Sequence, residues 1–268
     1  MSAFIAYVDL PGVNWSRLKH LRRSPLHYRH VLDQGSEDTT SRLVGRALHA
    51  SALQPDVYAA EYVVYDGDRR GKAWTDFQAA HPNASILRRP EADQVAAQVA
   101  ALHAHAVAGP MLATATHREH AVTWTDEATG IACKGLVDLG GPEWIADLKG
   151  GPSLDLFERW IVREGYHLQI AWYRRGWLAM AGERPTCSVI GVEAKAPHDV
   201  GVFALDEALL TIADRELDRL LLTLAECRES GRWPGRYPDT QQVEAPSWML
   251  DPENMLPTEG FGEVDLEF

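Results

Sequence analysis

Apolar positions recur along this chain with two different periods, and the change of period divides it. Residues 14–32 place Leu18, Leu21, Leu26 and Tyr28 at helical spacing, with Asn14 or Ser16 available as a cap. Ser24-Pro25 splits the stretch and puts Pro25 in the first turn of a second helix. Residues 35–40 are polar and read as a loop. Residues 41–53 predict another helix, with Leu43, Ala47, Leu48, Ala50 and Ala52 as its apolar stripe and Gly45 and His49 on the adjoining face. Residues 55–84 read as an irregular excursion: a strand at 62–65, a polar loop at 66–72 and a short helix at 73–80. Residues 90–108 are alanine-rich and helical until Gly109-Pro110. The period then becomes two. Residues 119–125 alternate like a strand, 126–130 turn, and two apolar runs follow at 134–139 and 144–149, joined by Gly140-Gly141-Pro142-Glu143. Residues 154–181 predict one helix, or two broken at Gly165. Strands are expected at 186–193 and 201–204, then an amphipathic helix at 206–230 carrying Leu209, Ile212, Leu217, Leu220, Leu221 and Leu224.

This order predicts an α/β (α+β) fold, a central mixed sheet flanked by helices. One domain is expected over residues 1–237, with a helical part at 14–110, a core at 115–205 and a closing helix at 206–230. From Gly231 the chain turns Pro-, Trp- and acid-rich, which predicts an extended arm and an acidic, partly disordered tail at 238–268.

The two apolar runs carry the chemistry. If the four residues between them close a hairpin, Leu139 faces Trp144, Asp138 faces Ile145 and Leu136 faces Asp147. Side chains alternate faces, so Asp138, Ile145, Asp147 and Lys149 project from one side. The two aspartates are then diagonal neighbours, roughly 7–8 Å apart, and can share an ion. Two acids and a lysine on an otherwise apolar face are costly in a plain core. A surface strand with a chance salt bridge is the plainer reading; the matched parity and apolar flanks favour a metal site.

Length and composition narrow the class. The chain has 268 residues, 46% hydrophobic and 24% charged, which suits one large globular domain or one domain with appendages. No apolar run approaches the ~18–20 residues of a membrane span, and the first residues do not read as a secretion signal. The cysteines, Cys133, Cys187 and Cys227, are odd in number and widely spaced, which suggests a reducing, cytoplasmic setting and cannot furnish four ligands to an iron–sulfur cluster. The net charge of −12 opposes nonspecific binding to nucleic acid. The average hides an asymmetry: residues 17–46 hold Arg17, Lys19, Arg22, Arg23, Arg29, Arg42 and Arg46 against Asp33, Glu37 and Asp38. A basic N-terminal face beside an acidic exterior is compatible with a DNA channel.

Asp138, then Asp147-x-Lys149, then Gln169-x-x-x-Tyr173 on the following helix resembles the PD-(D/E)xK nuclease superfamily. Within it the chain looks most like the RecE-type, exonuclease VIII-like branch of phages and prophages, related to the nuclease domains of RecB and lambda exonuclease. SPLHYRH from Ser24 and GRALHASALQPDVY from Gly45 match as well, so the likeness spans about residues 18–204. Asp-x-Lys alone is a weak motif; its combination with the upstream aspartate, Gly-x-x-x-His and Gln-x-x-x-Tyr is more specific.

The resemblance implies a restriction-endonuclease-like core and assigns roles residue by residue. His49 matches a histidine that ligates or orients the metal, Asp138 and Asp147 match the metal-binding carboxylates, and the Leu148 carbonyl takes a position that often adds a ligand. Lys149 matches the lysine that positions the attacking water and offsets charge on the phosphate. Gln169 and Tyr173 match a helix motif that supports the site and touches the DNA backbone. The second acid here is Asp147 where glutamate is commoner, as also happens in RecB-like members. One or two Mg²⁺ or Mn²⁺ ions are implied, and an imidazole ligand favours Mn²⁺ somewhat. The implied activity is exonucleolytic: hydrolysis from duplex DNA ends, 5′ to 3′, leaving 3′ single strands for a recombination or single-strand-annealing partner. A ring-shaped homo-oligomer, trimer or tetramer, is implied too. An endonuclease and a non-catalytic DNA-binding relative are the alternatives; the intact Asp138, Asp147 and Lys149 set argues against the second.

Four further expectations concern neighbouring residues. Arg22, Arg23 and Arg29 are candidate phosphate contacts, with a solvated helix face as the equal alternative. Glu119 reads as a solvated glutamate at the start of a strand rather than a further acid of the site. Trp160, Trp172 and Trp177 read as core or subunit interface rather than base-stacking platforms. His167 is assigned no role.

Overall fold

The computed structural model describes residues 7–35, 39–151 and 153–250. Helix α1, Trp15–Leu18, starts at Asn14, whose side chain accepts from Arg17 N, and runs on as a 3-10 turn, Lys19–Arg22. Ser24 caps α2, Pro25–Gln34, with proline in its first turn where the missing N–H is harmless. Thr39 caps α3, Thr40–Leu53, which buries Ala47, Leu48, Ala52 and Leu53. The loop expected at 35–40 lies partly outside the described residues.

Residues 55–88 are more regular than their sequence suggests. They form α4 (Pro55–Glu61), β1 (Tyr62–Tyr65), α5 (Gly71–Ala80) and β2 (Ser85–Arg88), with β1 and β2 paired in parallel. Helix α6, Arg89–Ala104, follows directly, and α7, Ala108–Thr114, starts where a helix end was expected. Pro110 sits in the first turn of α7, a position proline tolerates.

The main sheet comprises β3 (His117–Thr125), β4 (Ala132–Gly140) and β5 (Trp144–Gly151), then β6 (Thr186–Glu193) and β7 (Val200–Leu205), in the order β3-β4-β5-β6-β7. Only β5 and β6 run parallel. Their crossover is α8, Phe157–Arg163, and α9, Tyr166–Ala181, which break at the left-handed Gly165. Asp206 caps the closing helix α10, Glu207–Ser230.

Helices cover both sheet faces. On one, Val137 and Ile145 pack with Trp172 and Trp177 of α9 and Leu217 and Leu221 of α10; on the other, Leu139, Ala146 and Leu148 pack with Leu48 of α3 and Leu102 of α6. The expected mixed sheet between helices is therefore observed. Trp172 also donates its indole N–H to Lys134 O (3.0 Å), so Trp172 and Trp177 serve the core, while Trp160 is partly buried beside Phe157. The arm after α10 folds back: Trp233 stacks on Tyr28 and Leu26 N donates to Pro234 O. The tail expected at 238–268 lies outside the described residues from 251 onward. Among the described residues, no single helix is long and apolar enough to cross a membrane.

The β4–β5 hairpin differs from expectation by two residues in register. Leu139 pairs with Ala146 and Gly140 with Ile145, and Gly141 N donates to Trp144 O (2.9 Å). The tip is thus Pro142-Glu143 alone, since proline's fixed φ suits the first corner of a tight turn. Gly140 is required where it stands, because a Cβ there would run into the Trp177 ring. Pairing stops after these two residue pairs and the strands part. Val13 takes the vacated edge of β4, donating to Ala132 O and accepting from Lys134 N, both at 2.8 Å. The resulting fork opens a cleft above the sheet.

Candidate metal centre

One step beyond the last pair, the register would set Asp138 level with Asp147 rather than diagonal to it. Leu148 N donates to Asp138 Oδ2 at 2.7 Å, so the carboxylate meets the backbone of β5 where the ladder has ended. Asp138 and Asp147 are both buried, and burial pushes both carboxyls up. For Asp147 the result is about 6: burial outweighs the attraction of Lys149, and Asp138 adds repulsion. Lys149 Nζ lies 2.6 Å from Asp147 Oδ2 and 5.3 Å from the Tyr166 ring centroid. The ion pair is not aligned as a hydrogen bond. Neither oxygen of Asp147 has a hydrogen-bond partner among the described residues, an uncommon state for a fully buried carboxylate.

The strand β3 brings in Glu119. Its register pairs Arg118 with Leu139 and His120 with Val137 but passes over Glu119, whose φ is 45°. This left-handed residue breaks the alternation of the strand. Arg118 turns to the carbonyls of Leu112 and Ala115 on the α7 side, while His120 turns to Met180 of α9. A non-glycine residue in that region is strained, and such strain concentrates at functional sites.

His49, from α3, completes the group. Its Nδ1 lies 3.2 Å from Glu119 Oε1 and 3.6 Å from Asp138 Oδ2, and its Nε2 lies 2.9 Å from Leu148 O. Acceptors face both nitrogens, so the ring carries two protons in this arrangement. Burial opposes that charge, but Asp138 and Glu119 outweigh it and raise the imidazolium to about 9. One donor atom each from His49, Glu119 and Asp138 lies within 4.8 Å of the others. Glu119 is therefore not the solvated strand-start residue the sequence suggested; its side chain is 11% exposed. The turn is one residue shorter than its sequence suggests, since Asp126 N donates to Ile131 O, and counting outward from that pair sets residue 119 level with 138.

On α9, Gln169 Nε2 donates to Tyr173 Oη at 2.8 Å. Burial, with Asp138 and Asp147 nearby, holds the Tyr173 phenol well above its ordinary range, so it stays protonated. Gly135 of β4 lets the ring lie flat, since a Cβ there would meet Tyr173 Cδ1 at 3.0 Å. His167, left without a role, is buried against Ile161 O.

His49, Glu119, Asp138, Gln169 and Tyr173 line a cleft of about 730 Å³. Tyr7, Trp15, Arg17 and Lys19 join them from the N-terminal segment, and Arg42, Arg46 and Gln54 from α3 and its C-terminal end. The three arginines singled out as phosphate contacts are not among the lining residues. Arg22 pairs with Glu216 (2.8 Å), Arg29 pairs with Asp33 (3.0 Å) and lies over Trp233, and Arg23 is exposed elsewhere.

A family profile described as a PDDEXK-like domain of unknown function (DUF3799) matches residues 14–245. The chain belongs to this PDDEXK-like family. It is thereby a member of the PD-(D/E)xK nuclease superfamily, as Asp138, Asp147-x-Lys149 and the following helix implied. No curated protein matches the chain. Among solved structures, the 2.19 Å crystal structure of a "Putative exonuclease" from Eubacterium rectale superimposes with a TM-score of 0.59 at 14% identity, over 88% of this chain and 91% of that one. At that identity the likeness is one of fold.

The donors of this PDDEXK-like site suit a divalent cation. Two carboxylates and an imidazole fit Mg²⁺ or Mn²⁺, with nitrogen tilting the preference toward Mn²⁺. The second sign is Asp147 Oδ1, a fully buried carboxylate oxygen with no hydrogen-bond partner among the described residues while Lys149 lies at Oδ2.

Proposed function

We propose that this chain is a divalent-metal-dependent deoxyribonuclease that hydrolyses phosphodiester bonds from duplex DNA ends. One observation carries the chemistry: His49, Glu119 and Asp138 gather one donor atom each in an open cleft, and the Asp147–Lys149 ion pair (2.6 Å) lies directly behind Asp138 on the neighbouring strand.

His49, Glu119 and Asp138 would hold the ion, with Asp147 and the Leu148 carbonyl as further donors. When bound, Mg²⁺ or Mn²⁺ supplies Lewis-acid neutralisation of the phosphate's charge. His49 ligates only after losing a proton, so its raised basicity makes ion uptake a proton-releasing event. Lys149, its ammonium group held beside Asp147, orients the attacking water and stabilises negative charge that grows in the transition state. Tyr173 accepts from Gln169 and retains its phenolic proton, a donor for a phosphate oxygen.

End-directed action, 5′ to 3′ polarity, a ring-shaped trimer or tetramer and delivery of 3′ strands to a recombination partner form the finer part of this reading. The RecE-type resemblance supports them. Incubating end-labelled linear and covalently closed circular duplexes with Mg²⁺ or Mn²⁺ tests the end requirement. Loss of linear DNA alone is expected; nicking of circles at a comparable rate would move the assignment to an endonuclease.

A further inference from the structure

The two edges of the main sheet are finished differently. Strand β3 carries Arg118, Glu119 and His120 on one edge, and the left-handed Glu119 interrupts its alternation. Charges and kinks of this kind keep an edge from accepting another strand. Strand β7 closes the other edge and pairs only with β6. It reads Val-Gly-Val-Phe-Ala-Leu, without a charge or a proline.

The ladder decides which backbone groups of β7 are left over. Glu193 N donates to Asp199 O at 2.9 Å, so the odd-numbered residues of β7 turn their N–H and C=O toward β6. Val200, Val202 and Ala204 therefore turn theirs outward. Asp199 Oδ1 accepts from Val200 N at 2.8 Å, but the N–H groups of Val202 and Ala204 meet no other element among the described residues. Ala204 is exposed and Val202 half-buried. An edge of this kind is a template for a further strand.

We propose that β7 docks β7 of a second copy of this chain, antiparallel about a two-fold axis at Val202. In that register Val202 N donates to Val202 O of the second copy and Ala204 N to its Val200 O, each bond being made twice. One strand supplies both sides, as a two-fold contact requires. The charges agree as well: Asp206 comes level with His198 of the second copy and Asp199 with Leu205, so no like charges meet. The two Val202 side chains meet across the axis and extend the apolar layer in which Val200 and Val202 pack with Leu148 and Ile190. The two five-stranded sheets become one. A two-fold contact assembles even numbers of copies, so it suits a tetramer and not a trimer. It stands independently of the nuclease reading.

Size-exclusion chromatography with light scattering, over a range of concentrations of the full chain, tests the contact. Wild type should run as a dimer or an even multiple of it. Ala204→Pro removes an N–H that no bond within the copy uses, at an edge position where proline is tolerated. It should keep the wild-type circular dichroism and raise the dissociation constant about tenfold or more, the order expected for two lost backbone hydrogen bonds. Oxidation of cysteine variants checks the register, and decides even if Ala204→Pro does not fold. Val202→Cys sets two thiols across the axis with Cα atoms roughly 5.5 Å apart, within disulfide reach, and should give a covalent dimer. Ala204→Cys, about 13 Å along the strands from its copy, should not. A monomeric wild type, a folded Ala204→Pro that dimerises undiminished, or equal cross-linking by the two cysteine variants would overturn the proposal. So would dimers that form only once residues 251–268 are removed, which would assign the edge to the tail instead.

Discussion

Lys149 Nζ lies 2.6 Å from Asp147 Oδ2, and among the described residues it is the main charge that offsets the burial of this carboxylate. Removing the lysine leaves a buried, unpaired acid beside Asp138, which will take up a proton rather than stay charged. Lys149→Ala should therefore fold, yet lose roughly 10²–10³ in kcat, the scale on which a preorganised electrostatic group acts. Single-turnover cleavage with a thermal melt of the same sample checks both halves. A folded variant retaining wild-type kcat would remove Lys149 from the chemistry.

Glu119 should behave as a ligand and not as a surface acid. Glu119→Gln and His49→Ala should each weaken Mn²⁺ binding by roughly 10–100-fold, the range seen when groups around a metal are removed. Calorimetric titration with Mn²⁺ measures this directly, and an unaltered affinity in Glu119→Gln would return that residue to the solvated role its sequence suggested.

Two titrations at the site make their contributions to the stability of the metal-free fold fade as pH rises. His49 is raised to about 9 in the fold from an ordinary 6.5, so its protonation stabilises fully below about 6.5 and that contribution fades as pH climbs through 9. Asp147 is raised to about 6 from 3.8, so its protonated form also favours the fold, and the advantage is lost as pH rises through 6. In EDTA, the Tm advantage of wild type over His49→Gln should shrink as pH rises from 6.5 through 9. Mn²⁺ affinity should run the other way, rising with pH because each of these protons competes with the ion.

Gly140 tests the packing beneath the fork. Gly140→Ala drives a methyl group into the Trp177 ring, an overpacking change worth about 1–3 kcal/mol. Denaturant unfolding should show that loss, with cleavage kinetics affected less than stability.

The parts of the fold set by strong periodicity were legible: α3, the three meandering strands, the break at Gly165 and the leucine-rich α10. Asp138, Asp147 and Lys149 were legible because acids and a lysine interrupt strands that are otherwise apolar. The hairpin register was not, because four turn residues admit more than one closure and Pro142 decides which forms. The parity of the three residues survived because the error was an even number of positions. Glu119 escaped because its left-handed backbone breaks the alternation on which strand reading depends. Helix α4, strand β2 and helix α7 are too short to display a period, and β2 becomes a strand only by pairing with β1. The sequence shows that residues 17–46 are basic, but not that Arg22 and Arg29 pair with acids while Arg17, Lys19, Arg42 and Arg46 line the cleft.

The most direct test of the proposed centre is hydrolysis of an end-labelled linear duplex by wild type and Asp147→Asn, each with Mg²⁺, Mn²⁺ or EDTA. Asparagine keeps the shape of the side chain and removes the charge that the ion and Lys149 answer. The expected result is metal-dependent degradation by wild type and loss of cleavage in Asp147→Asn with its melting temperature retained. Wild type inert with both ions, or cleavage undiminished in Asp147→Asn, would contradict the account.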